Sequence, residues 1–222
     1  MPNNKLKIFN DPIYGFITIP NTLVFDLIEH KCFQRLRRIS QMGMSYLVYP
    51  GAHHTRFHHA LGSMYLMQKT VNVLRFKGVS ISTDEETALL VAILLHDIGH
   101  PPYSHLLETP EVYATYHSHE HWGRLMLESD ETEIGIAVQK VLGKDRLFRL
   151  FAIMDGATEH EGVPIPAFMK EIVSSQLDVD RMDYMVRDQA NTGAQIGGFD
   201  IARVIRALRV GDDGHFFVKL WG

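Results

Sequence analysis

Hydrophobic residues recur at helical spacing over most of the chain after its first twenty residues. Apolar positions from Leu23 to Ile39 predict two short helices that are interrupted around His30. A longer helical pattern begins at Thr55 and ends at Gly78, where glycine favours termination. The hydrophobic pattern therefore predicts a mainly helical fold.

One helical pattern, residues 83–96, differs from the others because it is apolar on every side. Its first residues, TDEE, fit a capping box that begins at Thr83, and the run ALLVAILL then leads to His96. A helix without a polar face is typical of the centre of a fold. The sequence thus predicts a buried central helix with His96 at its C-terminal end.

The remaining patterns complete an all-α bundle. Further helices are predicted at residues 119–128, 133–142, 146–154, 166–188 and 200–210. Residues 9–19 contain a turn at Asn10-Asp11-Pro12 and predict a short N-terminal β-hairpin.

The C-terminal end of the chain has the pattern of a strand. A turn sequence at residues 211–214 precedes HFFVKLW, and we expect this strand to be truncated or completed by another chain. Residues 155–166 are expected to be a mobile loop. These expectations divide the chain into a hairpin at 1–20, a helical domain at 21–210 and a β segment at 211–222.

Composition narrows the class of protein. The chain has 222 residues, 45% hydrophobic and 22% charged, which is typical of a folded soluble protein. Its net charge of −4 without a basic block argues against a dedicated duplex-DNA binder. No apolar run approaches the roughly 20 residues of a membrane span. With one cysteine and no evident signal peptide, we expect a cytoplasmic location and no membrane partner.

Thirteen histidines are an unusual number for this length, and the sharpest cluster is HDIGHPPYSH, which begins at His96. An adjacent imidazole and carboxylate at the end of a buried helix cost several kcal/mol unless they pair or bind a metal. Their donor atoms suit Zn²⁺, Mn²⁺, iron or Ni²⁺ better than Ca²⁺, without choosing among them. The alternative for His96 and Asp97 is a structural ion pair that caps the helix.

Three further groups carry candidate chemistry. The preceding helix offers His58 and His59 near its start, and residues 117–121 read HSHEH at the start of another helix. Asp180, Tyr184 and Asp188 are spaced at i, i+4 and i+8, which places them on one helix stripe.

Five strings occur in order: KIFNDPIYG, FQRLRRISQMG, YPGAHHTRFHHALG, HDIGHPPYSH and DVDRMDY. Together, from about Lys7 to at least Asp188, they resemble the HD-domain metal-dependent phosphohydrolases, in the branch of deoxynucleoside triphosphate (dNTP) triphosphohydrolases. The resemblance implies an HD-domain helical bundle that hydrolyses dNTP to deoxynucleoside and triphosphate. It also implies a divalent Mn, Fe, Ni, Zn or Mg ion. The implied metal ligands are His59, His96, Asp97 and Asp180.

The resemblance also implies a catalytic group. His100 would contact the phosphates, and His105 would lie at the scissile phosphate. His119 would pair with Glu108, a position where the family more often has aspartate. A metal that polarises a phosphoryl oxygen and lowers the pKa of bound water, with imidazoles that move the proton, suits phosphate hydrolysis.

For substrate binding, the resemblance implies contacts from five residues. Arg56 would contact phosphate, and Arg181 occupies a position where a phosphate-binding lysine is often found. Gln41 and Asp188 would read the sugar 3′-hydroxyl, and Tyr184 would pack against the sugar.

Several positions have a second interpretation. His58 is expected to be a partly exposed neighbour of a ligand and not itself a ligand. His53 and His54 are expected to have loop or supporting roles, and Asp178 and Asp183 to be structural. In a mammalian member of the family the region around Arg37 holds an activating guanine nucleotide; the alternative here is a solvated helix face. The matching residues are Lys7, Asn10, Glu29, Gln34 and Arg37.

The resemblance leads us to expect a homo-oligomer. Two other functions stay open from the sequence. One is a nucleotide monophosphatase or phosphodiesterase of the same superfamily, and the other is a module that binds a nucleotide or single-stranded nucleic acid without turnover.

Overall fold

The computed structural model describes residues 7–109, 111, 117–195 and 198–219. The first six residues of the predicted hairpin segment and residues 220–222 of the predicted C-terminal strand lie outside this range. Within it, helices dominate and strands occur only as short antiparallel pairs. The predicted all-α class is therefore confirmed.

The chain begins with the predicted hairpin, in which β1 (Ile8–Asp11) pairs with β2 (Gly15–Thr18). Asp11 closes its turn because Oδ1 accepts the backbone N–H groups of Ile13 and Tyr14 at 2.9 and 3.1 Å. Gly15 supplies the positive φ, +70°, that the turn requires. Ile17 points inward and anchors the hairpin to the core.

Two short helices follow, α1 (Thr22–Glu29) and α2 (Lys31–Gln34), with a 3₁₀ helix at Arg35–Arg38. His30 separates α1 from α2, as the pattern predicted. Its backbone is extended, and its Nδ1 accepts the N–H of Cys32 at 3.3 Å, so the residue that ends one helix caps the next.

The centre of the fold is formed by α3 (Arg56–Phe76) and α4 (Thr83–Leu95). Every residue of α4 from Thr87 to Leu95 is buried, as its all-apolar sequence predicted. The capping box begins one residue earlier than predicted: the N-cap is Ser82, whose hydroxyl accepts the N–H of Glu85, while the Glu85 carboxylate accepts the N–H of Ser82.

The other helices pack around this pair. α3 also packs against α9 (Val179–Thr192), while α4 packs against α7 (Lys144–Asp155) and α8 (Ala167–Val173). α5 (His119–Glu128) and α6 (Glu133–Leu142) form the adjoining layer, and α10 (Ile201–Ala207) lies against α3. Short 3₁₀ helices occur at Ser45–Leu47 and Ser104–Leu107.

The predicted single helix at 166–188 is wrong, because the segment forms two helices, α8 and α9. Asp178 separates them: its carboxylate accepts the N–H groups of Ser175 and Arg181, each at 2.7 Å, and so caps α9. An aspartate at such a position competes with the helix for backbone donors, which the hydrophobic periodicity does not reveal.

Two strand pairs replace other expected features. The segment at 155–166, predicted as a loop, contains a small hairpin of β3 (Glu159–His160) and β4 (Val163–Pro164). The predicted helix at 200–210 ends at Ala207, and β5 (Leu208–Val210) pairs with β6 (Phe216–Val218). The described part of the C-terminal strand thus finds its partner within the chain. Among the described helices, none is long and apolar enough to cross a membrane.

Candidate metal centre and active site

His59 lies on α3 and is fully buried against α9. Its Nδ1 is 2.8 Å from Oδ2 of Asp183, and because a carboxylate only accepts, Nδ1 carries the proton and Nε2 presents a lone pair. Gly62, one turn further along α3, permits this contact: a Cβ there would lie 2.0 Å from Asp183 Oδ1. The close approach of α3 and α9 therefore fixes the orientation of His59.

His96 occupies the C-terminal end of α4, where the backbone carbonyls of the last turn are free to accept. Its Nδ1 is 2.6 Å from the carbonyl oxygen of Ile93, so Nδ1 again donates and Nε2 is again the lone-pair nitrogen. Asp97 follows in the turn that leaves the helix, and its side chain is buried.

The atoms that could bind a metal lie close together. The Nε2 atoms of His59 and His96 are 3.3 Å apart, and Asp180 Oδ1 lies 2.8 Å from the first and 3.5 Å from the second. Asp97 Oδ1 lies 3.4 Å from Nε2 of His96. Ligands about 2.1 Å from one ion and at right angles to each other are roughly 3 Å apart, so this arrangement fits a divalent metal.

The charges around the centre favour a cation. Burial lowers the pKa of His59, but hydrogen bonds to the carboxylates of Asp180 and Asp183 outweigh burial and raise the pKa to about 10, so Nε2 binds a proton at neutral pH that a metal ion would displace. Burial raises the pKa of Asp97, but the charges of His96 and Arg56 outweigh it and hold that pKa well below the ordinary range. Positive charge is therefore stabilised where His59, His96 and Asp180 meet, with Asp97 beside His96.

A second cluster is centred on Glu108. Its carboxylate lies 2.9 Å from Nδ1 of His105 and 2.9 Å from Nδ1 of His119, so the predicted pair with His119 forms with glutamate in place of aspartate. Burial raises the pKa of Glu108, and the hydrogen bonds to His105 and His119 outweigh it and lower the pKa. His100 stacks on His119 with ring centroids 3.7 Å apart, and burial lowers the pKa of His100 to about 4.

Two backbone features bring the side chains of this cluster together: a close approach at Gly99 and a turn at Tyr103 and Ser104. Gly99 lies against the start of α5, and a Cβ there would lie 2.1 Å from the carbonyl oxygen of His119. Tyr103 and Ser104 both adopt positive φ, 64° and 52°, a conformation that costs L-residues energy and is common at functional sites. This strained turn directs the 3₁₀ helix that carries His105 towards Glu108.

Both clusters have donor atoms close enough to ligate an ion. In the second cluster, however, the rings of His100 and His119 are nearly parallel, at 14°. Lone pairs of ring nitrogens lie in the ring planes, so stacked rings direct them side by side and not towards one point. The centre at His59, His96 and Asp180 is therefore the better metal site.

A cavity of about 1280 Å³ connects the two clusters and has room for a nucleotide. Its walls include His96, Asp97 and Asp180 from the first cluster and His105 and His119 from the second. The predicted substrate residues also line it: Gln41, Arg56, Arg181, Tyr184 and Asp188. The cavity wall also carries basic groups suited to phosphate, which are Arg56, Arg181, Arg124 and Lys170.

The residues predicted to bind an activating nucleotide lie elsewhere. None of the five lines this cavity, as far as the described residues form it. Lys7 forms an ion pair with Glu29 at 2.7 Å, and Arg37 Nε donates to Gln34 at 2.7 Å. Asn10 is exposed on β1. These contacts hold two pairs of the predicted set close together on the hairpin side of the fold.

Three contacts near the site were not predicted from the sequence. Asp183, expected to be structural, contacts a predicted metal ligand directly. Arg187 donates to both oxygens of Asp183 and, at 2.9 Å, to Asp11 of the hairpin. His54 Nε2 lies 2.6 Å from Asp188 Oδ1. His58 accepts the N–H of Thr55 and caps α3, and its side chain is half-buried.

Comparison with known proteins agrees with this geometry. Residues 56–188 match the family model of the HD domain, and the chain belongs to the HD domain family. That span begins at Arg56 and ends at Asp188, and it contains all four predicted metal ligands.

Similar proteins include an uncharacterised protein of Bacillus subtilis, YwfO, which is 37% identical over 96% of this chain and 47% of its own length. The human protein named deoxynucleoside triphosphate triphosphohydrolase SAMHD1 is 36% identical over 93% of this chain and 36% of its own. A solved phosphohydrolase from Bacteroides thetaiotaomicron superposes with a TM-score of 0.82 at 40% identity, over 96% of this chain and 49% of its own. The chain spans about half the length of these relatives or less.

Proposed function

We propose that this chain is a metal-dependent phosphohydrolase of nucleotides that converts a dNTP to deoxynucleoside and triphosphate. The observation that carries the proposal is the convergence of the two Nε2 atoms and the Asp180 carboxylate, with the Asp97 carboxylate 3.4 Å from Nε2 of His96. Both Nδ1 atoms of His59 and His96 already donate to other groups, so a cation is what completes the site. The named activity of the human relative supports dNTP as the substrate.

The metal would be held by His59, His96, Asp97 and Asp180. When bound, a divalent ion polarises a phosphoryl oxygen and lowers the pKa of coordinated water. Asp97 is held for this role by Arg56, whose Nη1 donates to Oδ2 at 2.7 Å.

The Glu108 cluster would handle the proton of the leaving group. Because the Glu108 carboxylate accepts from Nδ1 of His105, the Nε2 atom of that ring is the one left to exchange a proton, whereas Nε2 of His119 lies 3.3 Å from the Glu120 carboxylate. His105 lines the cavity and is exposed, so its Nε2 is placed to protonate the departing 5′-oxygen. His100 is fully buried and does not line the cavity, so in place of the phosphate contact that the resemblance implies it would support His119, on which its ring stacks.

Substrate recognition would use the two kinds of group in the cavity wall. Arg56 and Arg181 would contact the phosphates, while Gln41 and Asp188 would contact the sugar hydroxyl and Tyr184 the sugar face. We further propose that the surface with Lys7, Asn10, Glu29, Gln34 and Arg37 binds an activating nucleotide and that the protein assembles as a homo-oligomer. Loss of GTP-dependent activation and assembly in Arg37→Ala would support the first part, and unchanged behaviour would contradict it.

The test is release of inorganic triphosphate from each dNTP with Mn²⁺, Mg²⁺, Fe²⁺ or Ni²⁺, with and without GTP. The double variant His96→Ala, Asp97→Ala serves as the blank. Triphosphate release above the blank is the expected result. Release of monophosphate instead, or cleavage of a phosphodiester, would replace the proposal with that chemistry, and nucleotide binding without any product would indicate a binding module.

A further inference from the structure

His54 links two residues that line the cavity from different parts of the chain. Its Nε2 lies 2.6 Å from Oδ1 of Asp188, and the carboxylate can only accept, so Nε2–H is the donor. Its backbone carbonyl accepts the N–H of Gln41 at 3.1 Å, beside the bridge between Ser40 and Thr55. One residue therefore fixes the positions of Gln41 and Asp188 together.

His54 is buried, and two acceptors, one on His54 and one on Gln41, have no described partner. It is 6% exposed, and its buried Nδ1 has no hydrogen-bond partner among the described residues. The amide oxygen of Gln41 is likewise buried without a described partner, on a residue that lines the cavity. An unpaired acceptor in the wall of the cavity that the Asp188 carboxylate also lines is suited to a ligand that brings a hydroxyl donor.

We propose that His54 is a positioning residue for sugar recognition: its imidazole holds the Asp188 carboxylate for a sugar hydroxyl, and its backbone carbonyl holds the segment that carries Gln41. This inference rests on the proposed function, because it assigns Asp188 and Gln41 to the sugar of the nucleotide. His54 itself does not line the cavity; it acts through its two neighbours. Hydrogen bonds to a charged group are the stronger kind, so loss of the imidazole releases the Asp188 side chain.

The experiment compares three variants of the chain in steady-state kinetics with Mn²⁺. The substrates are the dNTP that the wild type hydrolyses fastest and its 2′,3′-dideoxy counterpart, which lacks the sugar hydroxyl. His54→Ala removes the donor, and His54→Gln restores an N–H near the position of Nε2. His53→Ala is the matched control, because His53 is the exposed neighbour that stacks on Tyr46.

We expect His54→Ala to lower kcat/KM for the dNTP about tenfold, mainly through KM, because the lost contact serves binding. The same variant should change kcat/KM for the dideoxy substrate less than about twofold, since that substrate has no hydroxyl for the Asp188 carboxylate to contact. The backbone contact to Gln41 is kept in the variant. His54→Gln should recover most of the loss, and His53→Ala should match the wild type. Metal content after dialysis should be equal in all variants.

Equal losses on both substrates would overturn the inference, because His54 would then support the fold and not the hydroxyl contact. No loss in His54→Ala, or the same loss in His53→Ala, would overturn it as well. If the wild type hydrolyses neither substrate, the proposed activity fails, and the same contrast is measured as Kd for the two nucleotides. A wild-type chain that binds both equally well, or binds neither, contradicts the role of His54.

Discussion

Asp180 and Asp183 lie three residues apart on α9 and contact opposite nitrogens of the same imidazole. Asp180 faces Nε2, where a metal would bind, and Asp183 accepts the proton of Nδ1. A carboxylate behind a histidine ligand fixes its tautomer and raises its basicity. Metal affinity should therefore depend on Asp183 although it is not one of the predicted ligands.

Asp183→Asn tests this dependence. We expect the affinity for Mn²⁺ to fall roughly 10–100-fold, because the amide accepts more weakly than the carboxylate. Titration calorimetry on protein freed of metal measures the change. Asp178→Asn is the matched control on the same helix, because it also removes a carboxylate but keeps an oxygen that accepts the N–H of Arg181. Equal affinities in both variants would contradict the role of Asp183.

Glu108 provides a second test at the residue scale. Glu108→Gln removes the charge that His105 and His119 face, so proton transfer should weaken. We expect kcat to fall by about 10²–10⁴-fold while the metal content stays that of the wild type. Triphosphate release and elemental analysis of the same preparation measure both quantities. A loss of metal together with activity would show instead that Glu108 supports the metal centre.

At the scale of elements, α4 leads into His96 and Asp97, and its N-cap residue determines where the helix begins. The structure places the N-cap at Ser82 and not at Thr83. We expect Ser82→Ala to lower the free energy of unfolding by about 1 kcal/mol, because it leaves the N–H of Glu85 without an acceptor. Thr83→Ala, one residue further on, should change it by less than about 0.5 kcal/mol. Urea unfolding of the two variants distinguishes the two N-caps.

The same N-terminus predicts a pH dependence. Burial raises the pKa of Glu85, but hydrogen bonds from Ser82 and Arg149 outweigh it, so the folded pKa lies below the ordinary 4.5. The ionised carboxylate therefore stabilises the fold above pH 4.5, and this contribution is lost as the pH falls through the folded pKa. Glu85→Gln should be less stable than the wild type at pH 7, and the gap should close at lower pH. Thermal melts across pH 3–7 measure the gap; a gap that widens on acidification would contradict the assignment.

At the scale of the whole molecule, the buried side chain of Arg187 connects the N-terminal hairpin to the candidate metal centre through hydrogen bonds. Arg187 on α9 donates to Asp11 in the hairpin and to Asp183, which in turn contacts His59. Burial lowers the pKa of Arg187, and its hydrogen bonds to Asp183 and Asp11 outweigh burial and raise it. Hairpin, α9 and α3 are thus held together by paired charges.

Asp11→Asn keeps the acceptor that closes the hairpin turn but removes the charge that faces Arg187. We expect the free energy of unfolding to fall by about 2 kcal/mol, because a buried cation loses part of its compensation. Glu128→Gln, which breaks an exposed pair with Arg124, should cost less than about 0.5 kcal/mol. Urea unfolding compares the two, and equal effects would show that the buried pair contributes no more than a surface pair.

The sequence by itself determined the features that depend on local spacing. Helical periodicity gave the bundle, the all-apolar run placed α4 at the centre, and the position of His96 and Asp97 at its end indicated a metal. The strings that resemble the HD-domain family marked the set of candidate residues. Each of these signals lies within a few residues of chain, where backbone geometry directly relates sequence to structure.

Tertiary structure alone decided which buried polar groups meet. Asp183 with His59, His54 with Asp188 and Arg187 with Asp11 are separated by 124, 134 and 176 residues. Burial makes an unpaired polar group costly, so each must find a partner, but the partner is set by how distant helices pack. Gly62 shows the same limit, because its need for a small side chain arises only when α9 lies against α3. The candidate ligands can therefore be predicted from the sequence, while the groups that orient them are determined by how the helices pack.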